Sequence, residues 1–147
     1  MDTGEVMGKI QAIIDAHGAG VLATVDKGGK PHMRWLTPVV FPNKVGLVYA
    51  LTLPSFPKVA QIRSSPHVEW LFQTTTLQEV VTARGKASIV NNPSLRSEVL
   101  EALGRHLYAM WKLTEDVRDL LVLETVLEEA VYYRPMTGEK ERVSFQT

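Results

Sequence analysis

The sequence runs to 147 residues, 45% hydrophobic and 22% charged, the size and make-up of one globular domain. Lys plus Arg and Asp plus Glu number 16 each, so no bulk charge draws the chain to nucleic acid or an anionic membrane, and any anion site must be local. The absence of cysteine excludes thiol catalysis, thiolate metal centres and a disulfide framework.

Val6, Ile10, Ile13 and Ile14 recur at helical spacing and predict an amphipathic helix, stopped by Gly18 and Gly20. The apolar run 21–25 reads as a strand. Asp26-Lys27-Gly28-Gly29 is a turn, because glycine tolerates positive φ, and a second strand over 30–41 completes a hairpin. Pro42-Asn43 marks the next turn, and 45–52 reads as a third strand. Pro54 and Pro57 bracket a loop. Pro57 suits the first turn of a short helix over 58–63, with Val59 and Ile62 inward and Ser65-Pro66 at its end.

Residues 67–73 predict a fourth strand with Val68, Trp70 and Phe72 on one face, followed by a loop at Thr74-Thr75-Thr76. Residues 79–90 form a long fifth strand, in which Gly85 is placed for a bend or bulge. Asn91-Asn92-Pro93-Ser94 caps a helix over 95–107. Residues 120–133 fit either a helix begun near Thr114 or a buried strand, and Tyr132-Tyr133 before Pro135 favours a strand. The tail from Met136 is polar and reads as surface. No linker divides the chain, so residues 1–147 are expected to form one domain of five or six mostly antiparallel strands, a barrel or sandwich with helices outside. No basic stretch and apolar core open the chain, and no apolar run nears the ~20 residues of a membrane helix, so a cytoplasmic location away from the membrane is expected.

Two segments carry candidate chemistry. Arg34 interrupts an apolar strand. A solvated outward arginine is the simpler reading of that feature alone, and an anion clamp is the sharper one, since a guanidinium offers a planar fork of donors. In Thr52-Leu53-Pro54-Ser55-Phe56-Pro57-Lys58, a strand end leads to a helix start carrying a lysine, an arrangement that favours phosphate. Spacing alone does not link the two. His17, His32, His67 and His106 lack metal-ligand spacing and read as structural or surface residues. G-x-S-x-G and Gly-rich phosphate loops are absent from the sequence. Trp35, Trp70 and Trp111 read as core or interface residues.

Four blocks in order resemble one known family. Leu22-Ala23-Thr24-Val25-Asp26 with Gly29-Lys30-Pro31-His32-Met33-Arg34 resembles the opening hairpin of the pyridoxamine 5'-phosphate oxidase-like split-barrel superfamily, with its general-stress-protein branch nearest in layout. Lys58-Val59-Ala60-Gln61-Ile62 with Ser65-Pro66-His67-Val68 resembles the helix of the phosphate-binding lysine and the strand after it. Val81-Thr82-Ala83-Arg84-Gly85-Lys86-Ala87 and residues 121–133 resemble the later strands, the last resolving 120–133 toward strand.

The resemblance covers roughly residues 5–134. It implies a mainly β, six-stranded antiparallel split barrel of Greek-key, FMN-binding type, a homodimer with FMN at the interface. It implies cofactor contacts from Arg34, Trp35, Leu36, Thr37, Leu51, Thr52, Ser55, Lys58 and Gln78, with Lys58 on the phosphate. It departs from the oxidases in having Phe56-Pro57-Lys58 in place of Ser-Arg-Lys. Val80 stands where they carry a glutamine, and Gln78 reaches that place only through a shifted register. The oxidases' C-terminal substrate segment has no clear counterpart. The function expected is an FMN-dependent oxidoreductase acting on a small molecule, with the redox chemistry supplied by flavin and no catalytic side chain or metal nominated. Alternatives are a non-catalytic flavin-binding stress protein, a relative using the deazaflavin F420 or haem, and a barrel without cofactor.

Overall fold

The computed structural model describes residues 1–104 and 119–145. The expected end of the third helix at Leu107, a helix begun near Thr114, His106 and Trp111 lie outside the described residues. In chain order the elements are α1 (Thr3–His17), β1 (Gly20–Val25), β2 (Pro31–Leu36), β3 (Leu47–Thr52), α2 (Pro57–Ser64), β4 (His67–Gln73), β5 (Val80–Val90), α3 (Pro93–Leu103), β6 (Leu121–Arg134) and β7 (Glu139–Ser144).

Local chemistry explains the boundaries. Asp2 and Glu5 form a reciprocal capping box at the start of α1, and Gly18, in the left-handed region at φ +71°, ends it. The β1–β2 hairpin closes around Asp26, whose carboxylate accepts from the Gly28 and Lys30 amides at 2.9 Å each. The turn leaves Val25 opposite Pro31 and Gly20 opposite Leu36.

All pairings are antiparallel, in the order β2-β1-β4-β5-β6-β3, with β7 added to β6. Among the described residues the ladders do not close. β2 and β3 are the two ends, and one bridge spans the gap just past β2, where Val39 and Tyr49 exchange hydrogen bonds of 2.7 and 2.8 Å. β2 ends at Leu36 rather than at Phe41, because Pro38 has no N–H to give a ladder. Among the described residues the strands number seven rather than six. The tail expected to be surface turns at Gly138 (φ +76°) and pairs with β6, burying Val143.

The β5–β6 ladder shifts register between Arg84 and Gly85, the bulge expected from that glycine. A Cβ at Gly85 would stand 2.1 Å from the Val126 carbonyl oxygen, so only glycine lets the bent strands approach. The main core fills the barrel. Trp70 and Phe72 stack at 5.6 Å, and the Trp70 indole donates to the Thr125 hydroxyl at 3.0 Å. A second core lies under α3, where Leu95, Val99 and Leu103 cover Leu51, Tyr49 and Val122. β3 is thereby buried on both faces, while β2 is the most exposed strand.

Candidate functional site

The alternation of β2 decides where Arg34 goes. Met33 and Trp35 face outward, 74% and 61% exposed, so Arg34 faces inward with Leu22 and Thr24 of β1. Its Nη1 donates to the Leu22 carbonyl at 3.1 Å and to Thr24 Oγ1 at 2.8 Å, and its Nη2 donates to Gln61 Oε1 at 3.1 Å. The Thr24 hydroxyl, fully buried, donates in turn to Gln61 Oε1 at 2.6 Å. Burial lowers the pKa of the guanidinium, which starts so high that the charge is kept.

Lys58 reaches the same place from α2. Pro57 opens the helix, where its missing N–H costs nothing. The cap residue Phe56 supplies no side-chain hydrogen bond, and the first turn contains no acidic residue. This N-terminus therefore keeps its positive end. The Lys58 side chain is buried, its Nζ 3.3 Å from the hydroxyl of fully buried Thr52 and 4.5 Å from the centre of the Phe56 ring. Burial, and then the charge of Arg34, push its pKa down to about 8. No carboxylate pairs with Arg34 or Lys58 among the described residues. Two inward cations and a helix N-terminus thus converge with no anion to neutralise them among the described residues, a donor set suited to a phosphate group.

The other expected contact residues are spread more widely. Leu36 is half-buried against the main core, and Thr37 lines a groove of about 220 Å³ with Gln11, Asp15 and Val39. Trp35 lines an open apolar groove of about 250 Å³ with His17, Val21 and Leu71. Leu51 packs beneath α3, on the face of β3 opposite Thr52. Ser55 is exposed in the turn leading into α2. Gln78 is exposed in the β4–β5 turn. Val80, two residues on, pairs with Tyr133 near the end of β6, whereas Thr52 pairs with Leu121 at its start, a strand contour of roughly 40 Å. Within one chain, then, Arg34, Thr52 and Lys58 come together and Gln78 stands apart.

Thr24 and Gln61 were not singled out from sequence, and both had a signal. Thr24 is the one polar residue at an inward position of β1, and Gln61 lies one helical turn after Lys58. Three of the histidines are elsewhere: His32 pairs with Asp26 at 2.8 Å, His17 meets Thr75 at 3.0 Å, and His67 is exposed. Among the described residues no three His, Asp or Glu side chains cluster to hold a metal ion, and no helix is long and apolar enough to cross a membrane.

A mainly β, antiparallel barrel that is split between β2 and β3, with an anion-ready cluster at the start of α2, defines the split-barrel class. Residues 6–133 match the sequence model of the pyridoxamine 5'-phosphate oxidase family, and the chain belongs to that family. It is 28% identical, over 99% of both chains, to general stress protein 26 of Bacillus subtilis. Its fold is also that of the crystal structure of general stress protein 26 from Bacillus anthracis (TM-score 0.72, 21% identity, 94% of this chain and 98% of that one). A protein of Clostridium acetobutylicum related to general stress protein 26 superposes with a TM-score of 0.75 at 12% identity, over 97% of this chain and 96% of that one.

Proposed function

We propose that this chain binds FMN in a homodimer, with the flavin phosphate held by Lys58, Arg34 and the start of α2, and that it works as an FMN-dependent oxidoreductase on a small molecule. The observation that carries this reading is Lys58, a buried cation set beside a second inward cation, with no carboxylate among the described residues to balance either. A phosphomonoester brings about −1.5 to −2 charges and strong acceptor oxygens, which is what such a site lacks. The donor set therefore fits the group.

Bound flavin would supply the electron transfer, and the chain supplies position and charge. Lys58 and Arg34 neutralise the phosphate. Thr52 holds the ammonium by its hydroxyl, and the Phe56 ring shields it from water. The outward Met33 and Trp35 on the edge strand β2, continued by Val21 and Leu71 across the sheet, offer an apolar face for a second copy to cover.

Titration of the purified protein with FMN, followed by quenching of flavin fluorescence and by the visible spectrum, tests the binding. Micromolar or tighter binding is expected, and no binding would overturn the reading. A second reading, a flavin-binding protein without turnover, draws on the missing counterpart of the oxidases' C-terminal substrate segment. Steady-state reduction by NAD(P)H or dye donors separates the two, since flavin binding without turnover by any donor selects the second.

A further inference from the structure

Gln61 holds a place in this cluster that the phosphate reading alone does not explain. Its Oε1 receives two hydrogen bonds, from the Thr24 hydroxyl at 2.6 Å and from Arg34 Nη2 at 3.1 Å. A guanidinium nitrogen only donates, so the atom it meets is the amide oxygen, which fixes the orientation of the amide. The Gln61 –NH₂ is then left without a protein acceptor among the described residues. So are Nε–H and the second Nη2–H of Arg34. Gln61 and Lys58 stand one turn apart on α2, so their polar heads rise from one face of the helix.

We propose that Gln61 completes the phosphate site: its carbonyl fixes the Arg34 fork, and its amide N–H groups donate to the same phosphate as Lys58. The proposal rests on the phosphate reading above and extends it to selectivity. A carboxylate at this position would ion-pair with Arg34 and lie one turn from Lys58, neutralising the site from within. An amide of the same length holds Arg34 and leaves both charges for the ligand. Gln61 thereby makes the site selective for a doubly charged phosphomonoester over a neutral analogue.

The test compares FMN and riboflavin, titrated by flavin fluorescence into wild type, Gln61→Glu, Gln61→Ala and Lys58→Ala. Inorganic phosphate, read as thermal stabilisation, serves as a probe without flavin. Gln61→Glu is expected to weaken FMN by at least about 30-fold and Gln61→Ala by about tenfold, with riboflavin within about threefold of wild type in both. Phosphate should stabilise wild type and not Gln61→Glu. The acidic variant should regain FMN only as the pH falls below the ordinary carboxylate range, because the pair with Arg34 holds its carboxyl down, a profile that a merely structural role would not give. FMN binding at the wild-type level in both Gln61 variants, or equal loss of both flavins, would overturn the proposal. If Lys58→Ala loses the preference for FMN while the Gln61 variants keep it, the Gln61 proposal alone falls. If Lys58→Ala also keeps the preference, or if wild type does not bind FMN, the phosphate reading falls and this proposal with it. Should Gln61→Glu not fold, Gln61→Met, which keeps the length and loses both hydrogen bonds, is judged by the criteria set for Gln61→Ala.

Discussion

Lys58 lies close enough to Arg34 for the guanidinium to add to burial in driving its ammonium down to a pKa of about 8. Like charges are normally kept apart or bridged by a carboxylate, and here β2 and α2 bring them together with neither remedy. Such an arrangement costs folding energy, which a ligand anion would return on binding.

The first prediction follows from that cost. Lys58→Met removes a buried, unpaired cation and keeps most of the side-chain volume. In the absence of flavin it should raise stability at neutral pH by about 1 kcal/mol, visible as a higher Tm. A lower Tm would mean that the Lys58–Thr52 hydrogen bond holds the loop together on its own account.

The second concerns pH. The Lys58 pKa is about 8 in the folded chain against 10.5 unfolded. Between these values the unfolded chain holds a proton that the folded chain has lost, so the Lys58 contribution to stability rises with pH across that window. It is complete above 10.5, and it falls away as the pH drops through about 8. FMN affinity should run the other way and weaken above about pH 8, where the free site loses the ammonium. Chemical denaturation of wild type and Lys58→Met between about pH 7 and 10 should therefore converge as the pH rises.

The third concerns the clasp of α1. Glu79 accepts from Lys9 Nζ at 2.8 Å and from the buried Tyr132 hydroxyl at 2.5 Å. The hydrogen bond from Lys9, and then the one from Tyr132, hold its carboxyl below the usual carboxylate range. The stability this contributes is present above the unfolded carboxylate pKa and is lost as the pH falls through the lower folded value. Glu79→Gln should cost about 1–2 kcal/mol at neutral pH, with the difference from wild type shrinking in acid. An equal difference at pH ~7 and ~3 would mean that charge plays no part there.

The fourth concerns the bulge. The atom that a Gly85→Ala side chain would strike is backbone, the Val126 carbonyl oxygen, and cannot rotate away. A loss of about 3 kcal/mol or more, or failure to fold, is expected. A near-neutral result by denaturant titration would mean that the β5–β6 register can shift.

The fifth concerns the proposed dimer. Met33 and Trp35 are the exposed large apolar residues of β2, and Met33→Asp with Trp35→Asp should give a folded monomer on gel filtration. Loss of FMN affinity with the dimer would support an interfacial site. An unchanged dimer would put the contact on another face.

Much of this was legible in local chemistry. Gly28-Gly29 announced the first hairpin, and Gly85 announced the bulge. β7 was not legible, because only Val143 of its six residues is buried and a polar edge strand looks like a tail. The direction of Arg34 was hidden for a physical reason. β2 points its large apolar residues outward, so the usual rule that charge faces solvent misreads the strand until its pairing with Leu22 is known. Lys58 and Arg34 lie 24 positions apart, and only the packing of α2 on β1 joins them. Gln78 was nominated by family correspondence rather than by a local signal, and it lies at the far end of β6.

The measurement that bears most directly on the phosphate site is the ratio of FMN to riboflavin affinity in wild type and in Lys58→Ala, by parallel fluorescence titration at pH ~7. Wild type should prefer FMN by at least about 30-fold, and the substitution should bring the ratio within about threefold of one. A wild type that binds the two flavins equally, or a variant that keeps the preference, would contradict the assignment of Lys58 to the phosphate.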